Sequence, residues 1–147
     1  MLYCFVQLHV FLRLKERLMI SAADALKQVD LTPKLWIDAE VSPSGLMGDT
    51  YKQLMALEPF GMGNPAPVFL ARNLTVTSSR TTGRSGQHLR MKINDGRANW
   101  DAVAFRQGAK PVGSTRKLDL VYSITTQAWG GGKVLSLRVL DFQPSGE

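Results

Sequence analysis

Between positions 80 and 92 the sequence reads "RTTGRSGQHLRMK", and five of its side chains carry or can carry positive charge: Arg80, Arg84, His88, Arg90 and Lys92. The chemistry open to such a run is electrostatic rather than covalent. Guanidinium forks and ammonium groups hold phosphate oxygens, and the intervening Gly, Ser and Thr residues add amide and hydroxyl donors. Further on, "AWGGGK" places Trp129 beside three glycines and Lys133, a cation next to a flat ring on which a base can stack. Each feature has a plainer reading. The cations can be a solvated strand face, and Trp129 can cap the end of a barrel.

Covalent or metal chemistry finds little support. The histidines, His9 and His88, are far apart, and Cys4 is the single cysteine, so no zinc pattern exists. No Walker loop, GxSxG or HExxH motif occurs. Asp38 and Glu40 form a near pair on one face of a short strand, where a surface position fits better than a cation site. No catalytic residue, metal ligand or cofactor is therefore expected in this chain.

The elements that must position the cations are strands. In "QHLRMKIND", Leu89, Met91 and Ile93 alternate with His88, Arg90 and Lys92, so the cations form a stripe opposite an apolar face. "DG" at 95–96 signals a hairpin into "NWDAVAFR", where Trp100, Ala102 and Ala104 share a face and Trp100 reads as packed. Upstream, "PVFLARNLTVTSSR" offers Val68 and Leu70, then Leu74 and Val76. Downstream, "KLDLVYSITTQ" and "KVLSLRVLDF" flank the glycine-rich loop. Five strands at short, regular spacing predict a closed or partly closed antiparallel barrel of the OB type.

Before the barrel the periodicity is helical. Residues 5–29 read as helix, with Ser21 a candidate cap for a second one. "TPKLWIDAEV" reads as a short strand through Leu35, Ile37, Ala39 and Val41. Asp49 or Thr50 then caps a short helix, "YKQLMALEP". The two patterns meet at "LEPFGMGNPAPVF", which is also a charge boundary. Residues 1–58 carry six Lys/Arg and seven Asp/Glu, whereas residues 59–147 carry twelve and five. Eight of those twelve cations are arginine, which favours phosphate forks and base stacking. The expected architecture is α+β: a helical and αβ segment over 1–58, then a five-stranded antiparallel barrel over 59–147. In the joint, Gly61 and Gly63 are expected to supply backbone angles that other residues resist. Pro65 and Pro67 force an extended entry to the first barrel strand. A lone cysteine and the absence of a membrane-length apolar run point to a reducing, cytoplasmic setting.

The joint carries a resemblance. "LEPFGMGNPAPVF" resembles the segment leading into the OB domain of the RecJ family, bacterial exonucleases specific for single-stranded DNA. "RTTGRSGQHLRMKI", "WDAVAF", "KLDLVYSI" and "LSLRVLDF" resemble that domain's strands in order. "PKLWIDAEV" resembles the strand closing the preceding DHHA1-type domain. The resemblance implies a component of a 5′→3′ exonuclease used in recombination and repair. Its manganese or magnesium centre belongs to DHH motifs that this sequence lacks. The expected partner is single-stranded DNA, held by Arg80, Arg84, His88, Arg90, Lys92, Trp129 and Lys133. A DHH nuclease half or another repair protein is a second partner. The alternative is a barrel that only docks such a protein. No membrane or small-molecule partner is expected.

Overall fold

In the computed structural model, backbone is described for residues 8–113, 116–129 and 132–146, and side chains for 10–113, 116–126 and 134–146. The chain divides into two units, Met1–Leu35 and Trp36–Glu147. In the first, helix α1 (Leu8–Leu26) runs through Ser21 without a break, so no second helix starts there. Its described side chains are all exposed, Leu18, Met19 and Ile20 among them.

The second unit is built on β1 (Ala39–Glu40), a 3-10 turn over Pro43–Leu46, α2 (Asp49–Met55) and five longer strands. These are β2 (Phe69–Thr82), β3 (His88–Asn94), β4 (Asn99–Ala104), β5 (Lys117–Trp129) and β6 (Gly132–Pro144). The strand expected over 35–41 shrinks to the two residues of β1, parallel to the start of β2. Helix α2 begins after Gly48, with no side-chain cap from Asp49 or Thr50.

Strands β2 to β6 close a five-membered barrel in the order β2–β3–β4–β6–β5, with β5 pairing back onto β2. The expectation of a purely antiparallel barrel is corrected at one seam, because β4 and β6 run parallel. The physical reason is connectivity. A short turn makes antiparallel neighbours of β3 and β4, and β5 pairs antiparallel with β6. Closing the ring then brings β6 against β4, with the hairpin partner β5 between them in sequence.

Strict alternation drives the core. Leu89, Met91 and Ile93 of β3 are buried, as are Trp100, Ala102 and Ala104 of β4 and Leu118, Leu120 and Tyr122 of β5. Each large apolar side chain so placed contributes about 1.5–3 kcal/mol. In β2 the phase differs from the sequence expectation. Phe69 and Ala71 face the core rather than Val68 and Leu70, and Leu74 and Val76 follow. The register shifts between Ala71 and Leu74, where Asn73 takes a left-handed φ of 57°. Asp119 holds this bulge: it accepts the Asn73 N–H at 2.9 Å, the Ser145 hydroxyl at 2.6 Å and the Arg72 guanidinium at 3.3 Å. Burial works against the Asp119 charge, but these donors outweigh it and lower its pKa.

Asp95 ties the β3–β4 hairpin to the segment before the barrel. Its carboxylate accepts the N–H groups of Ser44, Arg97 and Ala98 and the Trp100 indole. Burial alone would raise its pKa, yet hydrogen bonds from Ser44, Ala98 and Arg97 bring it down to about 2. A depressed carboxylate stabilises the fold above its unfolded pKa, and that contribution is lost as pH falls toward the folded value. Stability is therefore expected to drop by about 2 kcal/mol between pH 5 and pH 2 on account of this group. Urea titrations of Asp95→Asn should show lower stability at neutral pH and a flatter acid limb. An acid limb identical to that of the parent would refute the assignment.

The joint forms a tight turn. Gly61 and Asn64 exchange backbone hydrogen bonds at 2.8 and 3.2 Å, and the Asn64 amide reaches the Leu57 and Pro59 carbonyls. The expectation about its glycines is corrected. Neither Gly61 nor Gly63 has a positive φ, and a Cβ at either would meet nothing within 4 Å. Gly61→Ala and Gly63→Ala are each expected to change stability by less than about 0.5 kcal/mol. Denaturant midpoints displaced beyond that would show a constraint the turn geometry does not contain.

Candidate nucleic-acid interface

Side chains that alternate away from the core make the outer face of the barrel, and register sets which of them are neighbours. Arg80 of β2 lies directly opposite Arg90 of β3, which lies opposite Val103 of β4, itself paired with Arg138 of β6. The next row runs Ser78, Lys92, Asp101. A groove of about 610 Å³ opens over these rows, lined by Arg80, Arg90, Lys92, Ser78, Asp101 and Ser136 among others, with Met91, Val134 and Leu135 as its apolar part.

Arg80 opposite Arg90 is a like-charge cross-strand pair, an arrangement that weakens a sheet. Among the described residues no carboxylate lies within 4 Å of Arg80, Arg84, Arg90 or Lys92. Some other cations of the barrel unit do have partners: Arg72 bridges Glu40 and Asp119, and Lys110 contacts Asp141. The groove gathers three cations against one carboxylate, Asp101, and none of them is held in an ion pair among the described residues, an excess of positive charge that suits a polyanion.

The structure brings three of the expected residues, Arg80, Arg90 and Lys92, into one groove. Arg84 is exposed in the loop between β2 and β3. The His88 ring is held locally: its Nδ1 accepts the Arg106 N–H at 3.0 Å, and it meets the Phe105 ring edge-on at 5.3 Å. Trp129 and Lys133 belong to the β5–β6 ladder by backbone, but their side chains lie outside the described residues. Arg138 was not among the expected residues. The outward phase of "LSLRVLDF" marks it as exposed, but only the parallel β4–β6 register aligns it with Arg80 and Arg90.

Asp38 and Glu40, the near acidic pair, are occupied by the fold. Asp38 accepts the Val68 N–H and Glu40 the Arg72 guanidinium. Among the described residues no three His, Cys, Asp or Glu side chains gather as a metal site. No described helix is long and apolar enough to cross a membrane.

A closed five-stranded barrel with a net cationic groove across its outer face defines an OB-type module. Residues 37–141 match the RecJ OB domain, and the chain belongs to that family. It is 25% identical over 130 residues to the single-stranded-DNA-specific exonuclease RecJ of Bacillus subtilis (strain 168), an alignment covering 87% of this chain and 16% of that protein. Two crystal structures of RecJ from Thermus thermophilus share the fold. The Mn2+ complex superposes with a TM-score of 0.69 and the Mg2+ complex with 0.68, each at 21% identity and covering 97% of this chain. The chain spans 20% and 21% of those two solved chains.

Proposed function

We propose that this barrel holds single-stranded DNA as part of a RecJ-like 5′→3′ exonuclease of recombination and repair, while cleavage is carried out by residues outside this chain. The observation that carries the reading is the groove in which Arg80, Arg90 and Lys92 meet without a carboxylate partner among the described residues. Family membership supports it. These three side chains take the phosphates, with Arg84 and Arg138 extending the contact at either side. Val134 and Leu135 give the bases an apolar surface. His88 acts by position, its ring fixing the segment after β4 against the start of β3. A manganese or magnesium centre, where the whole enzyme has one, is supplied by a DHH half and not by the residues described here.

Fluorescence anisotropy with a labelled oligo-dT tests this reading. Binding should weaken steeply as salt rises, with a logarithmic slope of about −0.7 per phosphate contacted. Absence of binding at low salt would overturn it in favour of a barrel that docks a nuclease half or another repair protein.

A further inference from the structure

Two residues of the groove are left unexplained by the cation–phosphate contacts. Asp101 is an exposed carboxylate among Arg80, Arg90 and Lys92, and among the described residues no cation lies within 4 Å of it. It would repel a phosphate. Ser136 lines the same groove at 2% exposure, and its Oγ has no hydrogen-bond partner among the described residues. A buried hydroxyl left without a partner is destabilising, so each such group asks for an explanation.

Register puts the two together. Ala102 of β4 pairs with Leu137 of β6 in parallel, and both face the core. That pair is the last rung of the ladder, and Asp101 and Ser136 are the residues just before it on each strand, both lining the groove that opens there. A carboxylate only accepts hydrogen bonds, whereas a serine hydroxyl also donates. Together they complement an edge that presents a donor next to an acceptor.

We propose that Asp101 and Ser136 read the Watson–Crick edge of a base seated in the groove and favour cytosine over thymine. This inference rests on the single-strand reading above. The cytosine N4 amine donates to the Asp101 carboxylate, and its N3 accepts from the Ser136 hydroxyl. Thymine carries a carbonyl oxygen at position 4, which turns lone pairs toward the carboxylate. Its single donor, N3–H, is flanked by two carbonyls. The cations set affinity for any single strand, and this pair sets which base occupies one position.

The test compares labelled oligo-dC and oligo-dT of equal length, at neutral pH and low salt, with the full chain. Oligo-dC should bind about fivefold tighter or more. In Asp101→Asn the ratio should fall to about one while both affinities rise, because an anion has left the groove. Ser136→Ala should reduce the ratio without lowering the melting temperature. Equal affinities for the parent chain, or a ratio that Asp101→Asn leaves intact, would overturn the inference. Failure of both oligonucleotides to bind would instead overturn the single-strand reading on which it rests.

Discussion

A chain carrying Arg80→Ala and Arg90→Ala together is expected to lose affinity for oligo-dT on the order of 10- to 100-fold at low salt, while its thermal stability holds or rises. The two arginines are direct cross-strand partners on β2 and β3, so their like charges repel in the free protein. Removing both relieves that repulsion and leaves the core untouched, since Leu89 and Met91 point the other way. In the complex each provides a charge-assisted phosphate contact, the stronger class of hydrogen bond. The salt slope should shrink by about 1.4 with two phosphate contacts gone. Anisotropy across a salt series and a melting curve on the same samples decide the matter. A variant that melts earlier but binds as before would show that the pair serves the barrel rather than the ligand.

Gly108→Ala is expected to lower stability by about 3 kcal/mol or more and the melting midpoint by roughly 10 °C. The segment after β4 crosses the loop between β2 and β3 at this residue. The Gly108 N–H donates to the Gln87 carbonyl at 3.1 Å. A Cβ there would lie 1.8 Å from the Gly86 carbonyl oxygen and 2.9 Å from the Gln87 carbonyl carbon. Those atoms are backbone, so no side chain can swing aside. The loops must separate, and the hydrogen bond lengthens or breaks. The loop that moves carries Arg84 and leads into His88 and Arg90. Oligonucleotide affinity should therefore fall as well, at temperatures where the variant is still folded. A midpoint within about 2 °C of the parent would contradict the close approach.

The contrast with Gly61 and Gly63 bears on how far this sequence could be read. The joint draws the eye because prolines and glycines crowd it, yet its two glycines meet no steric demand. Gly108, in the unmarked stretch "RQGAK", meets the most severe one. A glycine's φ or its clearance depends on what the chain brings near it, and here the neighbour comes from the other side of a hairpin. The β2 bulge is similar. "ARNLTV" reads as plain alternation, but Asp119, 46 positions away, captures the Asn73 N–H and shifts the phase.

What the sequence by itself determined is local. Alternation marked β3 and β4, "DG" marked the hairpin between them, and the outward stripe of Arg90 and Lys92 followed from a side-chain period of two. The charge boundary and the strand count pointed to a basic OB-type barrel, and the joint resembled the family to which the chain belongs. The tertiary structure alone decided which outward residues are neighbours. Closing the ring forced the parallel β4–β6 seam, and that seam set Arg138 in line with Arg80 and Arg90 and brought Asp101 and Ser136 into one groove. Pairing between strands distant in sequence is fixed by closure of the whole barrel, and no short window of residues encodes it.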